Sequence, residues 1–385
     1  MPDTLGQVHI DFWSSERTSL GVEWELELVD LDTRELTGLS DVVLEAIRPE
    51  GAEEHPKAKH ELLQSCVEVI TGICTTVAEA KADLHATVAE VSAAAAEHNA
   101  GVICSGTHPI TDWSTQLVTD QPRYHALMER NQWTARQLQI FGVHVHCGVR
   151  DGAKAIPIVN ALLTYLPHFL ALSASSPYWI GADTGLASYR SKLFEALPTA
   201  GLPYQLSGWD AFEKYMDALI SSHAIESIRE VWWDIRPHPN FGTVELRICD
   251  GLPSLDEIGC VAALAQCLVE RFDRQLDDGY TLPEPRPWLV RENKWRAARY
   301  GLDAEIVVDT SGTVQPVKAA ITSLVEDLLP IARRLDCADE LESIPRLIER
   351  GASYQRQRQV AAANNGALIP VVDSLLAEMR DGLNL

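Results

Sequence analysis

The chain contains no G-x-x-x-x-G-K-[ST] loop and no G-x-G-x-x-G turn, which excludes the P-loop and Rossmann modes of holding a nucleotide. It also has no C-x-x-C pair. Its 8 cysteines (Cys66, Cys74, Cys104, Cys147, Cys249, Cys260, Cys267 and Cys337) are scattered, most of them inside apolar segments, and read as reduced, buried thiols rather than a zinc knuckle or a disulfide frame. Positive charge is scarce: 32 Lys and Arg face 55 Asp and Glu, a net charge of -23. A nucleic-acid or anionic-membrane surface needs clustered cations, so neither partner is expected, and any anionic substrate must be held by local cations. No apolar run is long enough to span a bilayer and the polar N-terminus lacks a signal-peptide core, so a cytoplasmic location is expected. No Ser/Gly-rich linker divides the chain, which predicts one domain over residues 1–385, mostly helical from about residue 316.

What is present is a stripe of alternation. In Gly21–Val29, strict period two sets Val22, Trp24, Leu26 and Leu28 on one face of a strand and Glu23, Glu25 and Glu27 on the other. An acidic stripe alone is more often a solvated edge. Two later stretches repeat the design with complementary chemistry: His144 and His146 within Gly142–Gly148, and Glu245 and Arg247 within Gly242–Ile248. Glu68, set between Val67 and Val69, follows the same rule, and Glu61 is an odd neighbour for an apolar run. If these strands share a polar face, divalent cations relieve the crowding: oxygen donors suit magnesium or manganese, and one imidazole is acceptable to manganese. The set Glu23, Glu25, Glu68, His144 and Glu245 is the predicted metal site. Zinc is the competing metal, but no second histidine pair accompanies His144-x-His146. Arg247 shares the face of Glu245 and is either a plain ion-pair partner or a contact to a transferring phosphoryl group.

Thr76 and Glu79 have capping-box spacing and start a helix reaching Asn99, with Gly101 placed to stop it. Further helices are predicted from Pro122 to about Ile140, over Ala155–Leu172, from Asp210 to about Ser222 and from Ser254 to about Asp277. The C-terminal helices should break near Pro330, Gly351 and Pro370. Ser173–Gly208, rich in turn residues, reads as a long substrate-facing loop. Strands early and helices late predict an α+β fold with a largely antiparallel sheet and helices on its outer face.

Gly21-Val22-Glu23-Trp24-Glu25, Gly142-Val143-His144-Val145-His146, Ser188-Tyr189-Arg190-Ser191, the run from Trp233 to Pro239 and Gly242–Arg247 together resemble the glutamate-cysteine ligase type 2 family of bacterial carboxylate-amine ligases. Asn293 with Trp295–Gly301, and Ser353-Tyr354 with Gln357-Arg358, extend the resemblance over nearly the whole chain. It implies a glutamine-synthetase-like catalytic fold, a curved antiparallel sheet whose concave face holds ATP and Mg2+, with Mn2+ as an alternative. By this resemblance Glu23, His144 and Glu245 hold the ion on the ATP phosphates, and Glu25 and Glu68 hold the ion nearer the acceptor carboxylate. Arg247 and Arg190 are the implied catalytic arginines, and Arg236, Asn293 and Arg299 the implied nucleotide contacts. Glu61 fits a secondary acidic position, and His146 has no assigned role. The implied reaction joins a carboxylate to an amine through an acyl phosphate, with small molecules as partners and a homodimer as a conceivable assembly. A metal-dependent amide or ester hydrolase, or a nucleotide sensor retaining the fold, are the alternatives.

Overall fold

The computed structural model describes residues 9–383. The alternating stretches form a seven-stranded sheet. Its strands are β1 (Leu20–Asp30), β2 (Ala58–His60), β3 (Cys66–Ile70), β4 (Ala100–Ile103), β5 (Gly142–Gly148), β6 (Ile235–His238) and β7 (Thr243–Asp250). The order is β6-β7-β5-β1-β3-β2, and β4 extends the far half of β1. Every pairing in this sheet is antiparallel, as expected for a fold of this class. β6 carries Pro237 and is an edge strand, where a residue without an N–H is tolerated.

Alternation divides the sheet into two faces. Val22, Trp24, Leu26, Val67, Val69, Val143, Val145, Val244 and Leu246 are buried in one hydrophobic cluster that runs from Leu20 to Leu383. The helices Val77–Ala96, Gly152–Leu162, Leu166–Ser173 and Leu255–Asp277 cover this apolar face. Trp24 is fully buried and its indole N–H donates to the carbonyl of Leu252 at 3.1 Å, satisfying the one polar atom it takes into the core.

Several boundaries differ from expectation. The helix Val77–Ala96 has the predicted capping box, but the turn after it is made by Asn99 at φ 55, and Gly101 lies inside β4, where Leu376 and Leu31 leave no room for a side chain. The apolar segment Ala155–Leu172 is two helices, Gly152–Leu162 and Leu166–Ser173, bent by 65°. Among the described residues no single helix is long and apolar enough to cross a membrane, and this bent pair is almost wholly buried in the core. The helix from Pro122 ends at Arg136 and is kinked at Gln132. Pro330 does not break its helix, which runs Val317–Arg334. The charged segment 50–60 ends in the short strand β2.

Because the cap acts on one exposed turn and the core on a close-packed interior, their costs separate. Thr76→Ala should cost about 1 kcal/mol, whereas Leu84→Ala, at a fully buried position of the same helix, should cost ~2–5 kcal/mol. Urea midpoints at constant slope are the measurement.

Candidate active site

Register assembles the polar face. Glu23 lies opposite His144, Gly21 opposite His146, Glu25 opposite Glu68, and Glu245 opposite both His146 and Arg236. Directly opposed residues of antiparallel strands project to the same side, so these side chains converge. His144 Nδ1 lies 2.8 Å from Glu23 Oε2, and His146 Nε2 lies 3.1 Å from Glu23 Oε1. His146 Nδ1 is 3.0 Å from the hydroxyl of Thr243, which fixes the ring.

Glu245 is buried between two arginines. Its Oε2 accepts from Arg236 Nε at 2.7 Å and its Oε1 from Arg247. Burial pushes the Glu245 carboxyl up, but Arg236 and Arg247 more than offset this and hold it well below the usual range. Glu23 is likewise raised by burial and lowered further by His146 and His144, with a net shift downward. The opposite holds on the other side of His144. Burial, then Glu61, push Glu25 up to about 7, and burial followed by Glu23, Glu61 and Glu25 pushes Glu68 well up. Glu61 is raised chiefly by burial. His144 is pushed down to about 4 by burial and by Arg247, so it is a neutral imidazole.

Two donor sets emerge: Glu23, His144 and Glu245, and Glu25, Glu68 and His144, with one ligand atom of each residue within 4.8 Å of the others in its set. His144 Nε2 is buried without a hydrogen-bond partner among the described residues, and it faces Glu25 Oε1 at 3.8 Å. An orphaned imidazole nitrogen amid carboxyls that have gained affinity for protons is an arrangement a hard divalent cation satisfies. The predicted metal residues thus fit the group implied for them.

Arg247 sits at a bulge. Register shifts between Leu246 and Cys249, which inserts one residue in β7 opposite β5. The shift returns Asp250 to the polar face, opposite Gly142. Sequence reading missed Asp250, although the two consecutive apolar residues Ile248-Cys249 break the alternation and mark the bulge. Asp250 accepts from Ser175 N at 3.0 Å, Ser176 Oγ at 2.7 Å and Ser188 Oγ at 2.8 Å, and Ser176 Oγ accepts from Arg190 N at 3.0 Å. One carboxylate therefore ties both ends of the loop between Ser175 and Ser188 and delivers Arg190 to the sheet. Gly142 completes the placement: its N–H donates to Glu25 Oε2 at 2.5 Å, and a Cβ there would collide with the Arg190 guanidinium.

Arg190, Arg247, Glu25, Glu61 and His144 open onto a cavity of about 600 Å³. Glu23, Glu68, Glu245 and Arg236 do not line it, so the two donor sets share His144 but only one contributes a carboxylate to the cavity wall. The loop expected to face substrate does so in part, through Arg190, Phe194 and Leu197. Its outer hairpin (Tyr178–Trp179 with Ala182–Asp183) is pinned elsewhere by Arg358 to Asp183 at 2.7 Å.

Two of the residues implied as nucleotide contacts lie away from this cavity. Asn293 is buried with its amide spent on the backbone of Val307, donating at 2.8 Å and accepting at 2.7 Å. Arg299 donates to the carbonyl of Gly185 and lies over the Tyr300 ring. Neither lines the cavity; in the basic helix Pro287–Tyr300 both side chains are engaged with the backbone of neighbouring segments. Arg236 does reach the site, as the partner of Glu245. Sequence reading also missed Arg123, Tyr124, Arg130 and Trp232 of the cavity wall, which sit in segments without strand alternation or motif.

The fold is shared with solved proteins. A glutamate–cysteine ligase from Francisella tularensis, solved in complex with AMP, superposes with a TM-score of 0.69 over 97% of this chain and 93% of that one, at 13% identity. A bifunctional glutathione synthetase from Pasteurella multocida gives 0.67 over 95% of this chain and 52% of that one, at 15% identity. Closer in sequence are a Frankia alni protein named "Putative glutamate--cysteine ligase 2-1", 59% identical over 97% of this chain and 98% of its own, and a Thermobifida fusca protein named "Putative glutamate--cysteine ligase 2", 54% identical over 97% and 94%. With residues 19–374 matching the model of glutamate-cysteine ligase family 2, the chain belongs to that family of carbon–nitrogen bond-forming enzymes.

Proposed function

We propose that the protein is an ATP-dependent carboxylate-amine ligase that forms an amide through an acyl phosphate and releases ADP and phosphate. Glutamate and cysteine are the substrates the family name supplies. The reading is carried by one observation: two donor sets share His144, and Arg247 stands beside both at the wall of a cavity large enough for a substrate. The family match does not favour the hydrolase or the sensor.

Glu23, His144 and Glu245 would hold one divalent ion, and Glu25 and Glu68 a second. Bound there, the ions supply charge neutralisation at the phosphates and orient the γ-phosphoryl group. The remaining work falls to the chain's own side chains. Arg247, raised in basicity by Glu245 and Glu23 against the burial that lowers it, stays cationic and offers fixed positive charge where the phosphoryl group transfers. Arg190, held by the Ser176–Asp250 chain and cradled by Gly142, presents a second guanidinium from the loop side. His146 orients Glu23, and Thr243 orients His146. Positioning and electrostatics suffice for attack of a carboxylate on phosphorus, which is why no nucleophilic Ser or Cys is required.

Incubation with ATP, Mg2+, glutamate and an amine should release ADP, and hydroxylamine in place of the amine should trap the activated acid as a hydroxamate; absence of ADP with every acid and amine tried would sink the proposal. Arg247→Ala should lower kcat by about 10²–10³. Gly142→Ala should reproduce much of the loss seen in Arg190→Ala while leaving the circular dichroism spectrum intact, because it displaces the same guanidinium.

Divalent ions should also stabilise the fold. Mg2+ or Mn2+ at about 100 times its Kd adds ~2.7 kcal/mol per site, and a differential scanning measurement should show this rise shrinking in Glu25→Gln and in Glu245→Gln. Equal stabilisation of wild type and both variants would place the ions elsewhere.

A further inference from the structure

The cavity has two unlike ends. At one, Glu25, Glu61, Arg190 and Arg247 gather with Arg123, and both Arg123 and Arg247 lie near enough to Glu61 to draw its carboxyl down against burial. This charged end suits the acid, whose reacting carboxylate must meet Arg247. The other end is walled by Leu127, Leu138, Ile140, Phe194, Leu197 and Trp232. These six belong to one apolar cluster that joins the helix Pro122–Arg136 to the short helix Arg190–Phe194 and the turn after it. Phe194 joins the two ends, its ring 5.7 Å from the Arg190 guanidinium and 6.0 Å from that of Arg247. Arg130, which pairs with Glu230 and approaches Glu226 at 3.7 Å, also lines the cavity, as does Arg229.

A cavity of about 600 Å³ is of the size that takes a ligand much larger than a small polar amino acid. Lined as it is, its far half would hold poorly bound water against a substrate as small and polar as cysteine. We propose that the amine substrate carries an aliphatic or aromatic body, which this half of the cavity takes in preference to cysteine; the inference rests on the ligase reading above. The amine lone pair forms the C–N bond at the acyl carbon while the C–O bond to phosphate breaks. Its electron pair leaves with phosphate, and the extra proton on nitrogen passes to the departing phosphate or to water. Nothing in this step requires the amine to be an amino acid.

The test is an amine series, ethylamine, butylamine, hexylamine and phenethylamine with cysteine for comparison, each assayed for ADP release with ATP, Mg2+ and glutamate, and each titrated calorimetrically. A fully buried methylene is worth roughly fourfold in affinity, so kcat/KM should climb at least tenfold along the alkylamines, and phenethylamine should exceed cysteine. Leu127→Asn, on a half-buried position of the wall, should cut the hexylamine-to-ethylamine ratio about tenfold. A flat series, or cysteine exceeding every apolar amine, overturns the inference and leaves the ligase reading standing. Calorimetric binding of the longer amines without ADP release, when the series is repeated with aspartate and with the other proteinogenic amino acids in place of glutamate, upholds the apolar pocket and overturns the ligase reading; neither binding nor release overturns both.

Discussion

The register between β1 and β5, which sets Glu23 against His144, is the constraint on which the site depends. Side chains in a strand repeat every two residues, so a slip of one position would send Glu23, Glu25 and Glu27 into the core and Trp24 and Leu26 into the cavity. The fully buried Trp24 and its hydrogen bond to Leu252 oppose such a slip from the apolar side. From the polar side it is opposed by pairs that exist only in this register, those of Glu23 with two histidines. Buried ion pairs add little net stability, because desolvation consumes most of what attraction returns. Their role here is better understood as fixing geometry.

That geometry separates two electrostatic environments only a histidine ring apart. On the Glu245 side, burial is outweighed by arginines at Glu245 and by histidines at Glu23, and both carboxyls are held low. On the Glu25 side, burial and the crowding of three carboxyls raise the proton affinity of each. A ligand set already balanced by protein cations and one in need of an external cation are thereby held back to back, with neutral His144 offering a nitrogen to each. Glu27, the third acid of the stripe, has a different fate. It is fully buried, bonded to Ser105 and pushed up to about 8 by burial, and acts as a structural group behind the site.

The polar face was legible in sequence because alternation is a local signal: Glu23, Glu25, Glu68, His144, Glu245 and Arg247 each follow from counting by two. The helices were legible where capping residues announce them, as at Thr76 and Ser254. Less was legible where distant residues decide. Asn293 and Arg299 stand on a basic helix, and their partners, the carbonyls of Val307 and Gly185, are ones no spacing rule brings near. Asp250 lay beyond a bulge that resets the period. The apolar end of the cavity comes from segments as far apart as Leu127 and Trp232, so only the folded chain shows that they share a wall.

The long middle strand also shapes how the chain must fold. β1 finds its neighbours among residues 66–70, 100–103 and 142–148, and the last member of the polar face, on β7, lies past residue 242. At ordinary elongation rates a ribosome needs roughly 6–25 s to travel from Glu23 to Gly148, the end of the last strand to pair with β1. Throughout that interval the nascent strand has a bare edge. Mutual repulsion among its three glutamates guards it against premature pairing with another chain, so the negative charge later enlisted for chemistry first serves as protection against aggregation.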